Sequence, residues 1–291
     1  MKKFLITGAN GQVGFCLNKQ LQGVLNVLAL DRDKLDITDR NAVFNIVKDF
    51  RPDVIINAAA YTAVEKAESE IELARAVNVN GAKYLAEAAS EIDALMLHIS
   101  TDYVFNGMSS KPYTEDETPD PQTVYGRTKL EGEIAVQNAN TRSIILRTAW
   151  VFGECGNNFV KTMLRLAEER KELNVVSDQF GAPTYADDIS AALIDIANQI
   201  IDGKNDSYGI YHFSGQPYVS WYDFAESIFQ QAVLQKILKK APLVNAISTS
   251  DYPSVVKRPA NSCLDLNKIQ QTFGIKPSNW HKALTNLHYF E

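Results

Sequence analysis

The sequence predicts an α/β fold, a doubly wound parallel sheet with a smaller C-terminal lobe. Three observations carry this expectation. Strand-like apolar runs alternate with helical patterns through the first half of the chain. The connections between those runs are helix-length, as parallel strands require. A glycine-rich turn, Gly8-Ala9-Asn10-Gly11-Gln12-Val13-Gly14, follows the first apolar run directly.

Taken in order, strands are expected at Lys3–Thr7, Asn26–Asp31, Val54–Asn57, Leu95–Ser100 and Ser143–Arg147. Helical periodicity covers about 12–22, 39–49, 70–91 and 125–138 between them. Past Trp150 the alternation loosens. Helices are expected at 157–170, 185–200 and 220–236, with short β pieces near 174–176 and 210–213. Proline- and asparagine-rich joints run from 241 to 262. The division this suggests is a first domain over 1–150, rejoined by about 174–212, and a lobe that takes most of 151–291.

With 291 residues, 45% of them apolar, the chain can bury a core of this size. The net charge is -6 and the basic residues are dispersed, which argues against nucleic acid and against a polybasic membrane contact. No apolar run approaches the roughly 18 residues of a membrane span, and the N-terminus opens on a strand without a signal-peptide pattern. Cys16, Cys155 and Cys263 are odd in number and far apart, which fits reduced thiols and a cytoplasmic location. His98, His212, His281 and His288 show no ligand spacing, so no metal is assigned.

A tight strand-to-helix turn needs glycine where the backbone must approach a pyrophosphate, and the helix N-terminus then offers free N–H groups to the anion. Gly8, Gly11 and Gly14 give that turn the spacing G-x-x-G-x-x-G, with Asn10, Gln12 and Val13 between them. Asp31 ends the next strand about twenty residues on, where an acid would meet the ribose of a dinucleotide. These features make the sheet Rossmann-type and the ligand a nicotinamide dinucleotide. Arg32 follows Asp31. A carboxylate favours a 2′-hydroxyl and an arginine a 2′-phosphate, so the pair predicts that both NADPH and NADH are tolerated. Asp36 and Ile37 are placed to close over the adenine. Ala58, Ala59 and Ala60, with Tyr61 and Thr62, end the third strand, where small side chains let a flat cofactor lie against the backbone.

Tyr125 and Lys129 stand four apart on an expected helix and so share one face. A tyrosine hydroxyl ordinarily titrates near about 10. A fixed ammonium beside it favours the phenolate and readies the group for proton transfer. Ile99, Ser100, Thr101 and Asp102 close the fourth strand at the same sheet edge. On this reading Thr101 polarises the reacting oxygen, Tyr125 transfers the proton, Lys129 tunes it, and Ile99 lines the cofactor.

The chain resembles the dTDP-4-dehydrorhamnose reductases, extended short-chain dehydrogenase/reductases, over nearly its full length. The segments that carry the resemblance are GANGQVG (8–14), LDITD (35–39), RPDVIINAAAYTAVEKAE (51–68), STDYVFNG (100–107) and YGRTKLEGE (125–133), followed by TAWVFGECGNNFVKTML (148–164), QFGAPT (179–184) and RPANS (258–262). The resemblance implies NADPH-dependent reduction of a C4 ketone on a nucleotide-linked deoxysugar, giving dTDP-L-rhamnose for cell-surface polysaccharide. It implies sugar contacts from Asp102, Tyr103 and Trp150, beside Thr101. Arg258 is expected at the nucleotide diphosphate, and Asn158 near the same pocket unless it caps the next helix. Some reductases of this family bridge a dimer through magnesium held by glutamates. Cys16, Asp187 and Asn286 stand at the matching positions here, so a monomer or weak homodimer without magnesium is expected. Two rivals remain at this point. A 4,6-dehydratase or 4-epimerase shares the triad, although the dehydratase pattern has Glu where Tyr103 follows Asp102. A non-catalytic, NADP-binding regulatory relative is the other.

Overall fold

The computed structural model describes residues 2–23, 26–203 and 207–290. Its centre is a six-stranded, all-parallel sheet. Five strands come from the first half: β1 (Lys3–Thr7), β2 (Asn26–Leu30), β3 (Val54–Asn57), β4 (Leu95–Thr101) and β5 (Ser143–Thr148). The order across the sheet is Gly209–His212, β5, β4, β3, β1, β2. The chain leaves β1 for β2 on one side and returns to β3 on the other. The carboxyl ends of β1 and β3 therefore flank a topological switch point, the crevice in which such sheets bind ligands.

The strands read as continuous apolar runs because both faces are covered. Alternate residues of β1 show it: Phe4 and Ile6 face one core and Leu5 the other. On the first face lie the helices α1 (Gln12–Leu21) and Ala186–Ile201. On the second lie α2 (Arg40–Phe50), Ala82–Glu91 and Val124–Ala139. Each fully buried leucine or isoleucine contributes about 1.5–3 kcal/mol relative to exposure. A third core, around Phe152, Phe224, Phe229 and Trp280, fills the second lobe.

Three expectations change. The span 174–212 divides: Ala186–Ile201 and Gly209–His212 join the first domain, whereas Glu172–Val176 pairs in parallel with Leu243–Ile247 in the second lobe. That partner strand lies in the stretch read as joints. Its five residues follow Pro242, and their pairing is made about seventy residues away, where no local pattern reports it. The helix expected over 70–91 is broken into Ile71–Arg75, a π-helical turn at Ala76–Gly81, and Ala82–Glu91. The wide turn presents Asn78, whose amide donates to the Tyr61 carbonyl and the Thr128 hydroxyl. Finally, the chain returns to the first domain near its end. Asn267–Phe273 packs there through a Tyr211–Phe273 edge contact and a Lys268 bond to the Ile210 carbonyl.

Candidate active site

Two adjoining clefts run along the carboxyl ends of the strands. The first, about 300 Å³, is lined by Gly8, Asn10, Gly11, Asp31, Arg32, Asp36, Ile37, Ala58, Ala59, Ala60 and Tyr61. The second, about 520 Å³, shares Gly11 and the three alanines and adds Gln12, Val13, Thr62, Ile99, Thr101, Asp102, Tyr103, Tyr125, Lys129 and Trp150. Asn158 and Arg258 line neither.

The glycine turn is shaped by close backbone approach. Gly8 has φ +71°, and a Cβ there would stand 2.6 Å from the Ala59 nitrogen. A Cβ on Gly14 would stand 2.1 Å from the Gly8 carbonyl oxygen. Gly11 begins α1 without a side-chain cap, so the first N–H groups of the helix remain open to an anion. The Asn10 amide donates to Asp31 at 2.8 Å and bridges the turn to the end of β2. Arg32 is exposed beside it. This cradle fits a dinucleotide: an open helix N-terminus, a wall of small residues and a ribose-height carboxylate. Asp36, expected to accept from the adenine, lines the first cleft and accepts from the Thr38 amide and hydroxyl through one oxygen, and those bonds hold its carboxyl below the usual range. Ile37 is buried against Gly81, and the Tyr61 hydroxyl donates to Glu70.

Thr123 caps the Val124–Ala139 helix by accepting from the Gly126 amide. This sets Tyr125, half-buried, in the first turn and Lys129, buried, one turn on, both lining the second cleft. Gly126 lets the chain of Tyr103 close in, since a Cβ would lie 2.2 Å from the Tyr103 carbonyl oxygen. The rings of Tyr103 and Tyr125 then meet edge-on at 5.4 Å. Burial pushes the Tyr125 hydroxyl well above its ordinary range, and hydrogen bonding with Thr101 opposes that. Burial raises Asp102 to about 6, against hydroxyls of Ser262 and Thr101. Burial lowers Lys129 to about 8, with the Glu133 carboxylate opposing. Its ammonium donates to the Ile99 carbonyl at 2.6 Å.

Trp150 adopts the left-handed region, φ +46°. Its indole stacks on Trp221 with centroids 3.5 Å apart, over Gly181, where a Cβ would stand 2.4 Å from the ring. On the far side of Trp221 lies a cavity of about 870 Å³, bordered by Arg170, Gln179, Tyr252 and Arg258. Arg258 therefore belongs to this second-lobe cavity and is paired with Glu65 at 3.3 Å. Asn158 caps the Phe159–Glu169 helix and donates to the Gly153 carbonyl and to Gln12, so the side chain lining the cleft is that of Asn157.

The residues matched by one family model, described as the RmlD substrate binding domain, are 1–289. The chain belongs to this family. It is 57% identical over 292 aligned residues to a dTDP-4-dehydrorhamnose reductase of Aggregatibacter actinomycetemcomitans, covering 100% of this chain and 99% of that protein. A crystal structure of a dTDP-4-dehydrorhamnose reductase from Clostridium acetobutylicum superposes with TM-score 0.90 at 41% identity, covering 98% of this chain and 97% of that one. One from Bacillus anthracis, in complex with NADP, gives 0.91 at 36% identity, with 99% of each chain covered.

Several residues around this RmlD site were not singled out from sequence. Trp221 begins a helix far along the chain, and nothing local announces its stack on Trp150. Asn78, Glu133 and His98 support the catalytic helix from behind. The one visible signal was a histidine inside the apolar run Leu95-Met96-Leu97-His98-Ile99. Among the described residues, no three His, Cys, Asp or Glu side chains are grouped to hold a metal ion, and no helix is long and apolar enough to cross a membrane.

Proposed function

We propose that this chain reduces the C4 ketone of dTDP-4-dehydro-L-rhamnose to dTDP-L-rhamnose with NADPH. The observation that carries the reading is the second cleft. A half-buried phenol, a hydroxyl bonded to it and a buried lysine with a lowered titration converge there, at the end of a dinucleotide cradle.

When bound, NADPH supplies the hydride to the sugar's C4. Tyr125 donates its proton to the ketone oxygen as negative charge develops there. Thr101 holds that oxygen by a hydrogen bond. Lys129 favours the phenolate left on Tyr125 and holds the cofactor ribose. The stacked Trp150 and Trp221 give the deoxysugar a flat apolar wall, with Asp102 and Tyr103 as polar contacts opposite. The cavity beyond Trp221 is suited to the nucleotide, with Arg170 and Arg258 bringing positive charge to the diphosphate. Asp31 and the exposed Arg32 favour both NADPH and NADH, and NADPH is the cofactor assigned.

The test is oxidation of NADPH by the purified chain against a panel of dTDP-, UDP- and GDP-linked 4-ketosugars. The dTDP-linked 4-ketorhamnose precursor is expected to be turned over fastest. Oxidation with none of the panel, or a clear preference for a UDP- or GDP-linked sugar, would overturn the assignment.

A further inference from the structure

His98 lies in the middle of β4, fully buried behind the cleft. Its Nδ1 is 3.0 Å from the amide nitrogen of Asn57, and its Nε2 is 3.5 Å from the ammonium of Lys129. Chemistry along this row fixes each proton in turn. The Asn57 side-chain oxygen accepts from the backbone N–H of Ala59 at 3.1 Å and from the Thr7 hydroxyl at 2.7 Å. A backbone N–H can only donate, so the amide cannot be turned the other way. Its NH₂ group must face His98, and an amide NH₂ also only donates. The Nδ1 atom therefore carries the lone pair.

Burial and the neighbouring Lys129 charge hold the imidazole well below its ordinary titration range, so the ring is neutral. A neutral imidazole has one proton, and with Nδ1 accepting, that proton is on Nε2. An N–H thus points at Lys129. An ammonium has only N–H groups to answer with, whereas a neutral amine has a lone pair.

We propose that His98 is a positioning residue for the reduction: its locked tautomer denies the Lys129 ammonium an acceptor and favours release of a proton from Lys129. The ammonium keeps one acceptor, the Ile99 carbonyl. Glu133, one turn along the same helix, is committed to Arg147 of β5 and to the Ser100 hydroxyl of β4. Tyr125 is the remaining titratable group on that helix facing the cleft, and the groups contributed from β3 and the π-helical turn, Asn57 and Asn78, are uncharged. Burial lowers Lys129 and Glu133 opposes that, and the His98 N–H adds to the effect of burial by withholding an acceptor. The proton that Tyr125 passes to the substrate oxygen is replaced from Lys129, which regains one from water. This role rests on the catalytic reading of Lys129, but the tautomer can be measured without turnover.

Two measurements test it on the intact chain. In ¹⁵N-labelled protein, the ring nitrogens of His98, identified by the through-space contact of the ring with the Asn57 side-chain amide, are expected to show a protonated Nε2 and a bare Nδ1 at neutral pH. A protonated Nδ1 would overturn the proposal whether or not the enzyme turns over. In His98→Gln, the side-chain oxygen can turn toward the ammonium and supply the missing acceptor. A hydrogen bond to a charged group is worth enough to move a titration by about one pH unit. The alkaline limb of kcat/KM should therefore shift up by about that much. A limb that stays in place would contradict the proposal, and the ring measurement decides alone where the variant does not fold.

Discussion

Tyr125 holds its proton tightly in this structure, because burial opposes the phenolate and only Thr101 is bonded to it. The group is thus stored as the acid, ready to give its proton when an alkoxide forms beside it. Replacement by phenylalanine keeps the ring and its edge contact with Tyr103 but removes that proton. General acid catalysis contributes about 10²–10⁴-fold, so kcat should fall by that order in steady-state assays while NADPH affinity, read by fluorescence titration, holds. Trp150 makes a second case at this scale. Trp150→Ala removes one ring of a stacked pair, so kcat/KM for the ketosugar is expected to drop more than tenfold, a loss of about 1.4 kcal/mol. A collapse of cofactor affinity in that variant would mark the indole as packing instead. Residues set by local chemistry were legible in the sequence: the glycine spacing, the alanines at a strand end, and a Tyr and Lys four apart. The bonds of Asp36 to Thr38, of Asn158 to Gly153 and Gln12, and of Arg258 to Glu65 were not, because apolar periodicity does not encode them.

The Val124–Ala139 helix is tied to the sheet by an ion pair, Glu133 with Arg147, in which both side chains are only 1% exposed. Arg147 donates at 2.9 and 2.7 Å, and Ser100 adds a third bond. A pair so enclosed adds little over an apolar pair but is costly to break on one side. Arg147→Met leaves a carboxylate buried without its partner, and about 3–5 kcal/mol should be lost in urea unfolding. Adding Glu133→Gln should restore part of that loss; a double variant no more stable than the single one would speak against the charge as the cause. At this scale the strands and long helices of the first half were readable, because a covered sheet demands unbroken apolar runs. The π-helical turn was not, since its cause is Asn78 reaching Tyr61 and Thr128. Nor was Leu243–Ile247, whose pairing residues lie in a distant segment.

Two neutral histidines are buried in the central sheet, His98 on β4 and His212 on the strand beside β5. Burial and the Arg147 charge lower His212 to about 3, and His98 is displaced in the same direction. Both bind a proton in the unfolded chain near about 6.5. Their contribution to stability is therefore present above that pH and is lost as pH falls toward the folded value. Asp102, raised to about 6, acts oppositely, since acidification through 6 favours the folded form. Burial also lowers His281 and raises Glu115, and three histidines against two carboxyls leave stability falling below pH 6.5, by about 1.4 kcal/mol per pH unit for each unmatched proton. Urea midpoints measured from pH 7 to 4.5 should decline, and a rise would contradict this balance.

The whole arrangement makes one chemical claim, that a hydride reaches C4 and a proton the C4 oxygen of a dTDP-linked sugar between the cradle and the stacked tryptophans. The measurement closest to it is transfer of label from NADPH deuterated at the reactive nicotinamide carbon, followed by NMR of the sugar product. Deuterium at C4 of dTDP-L-rhamnose, appearing about 10²–10⁴-fold more slowly when Tyr125 is replaced by phenylalanine, is the predicted result. Oxidation of the cofactor with no deuterium on the sugar, or with deuterium at another carbon, would contradict it.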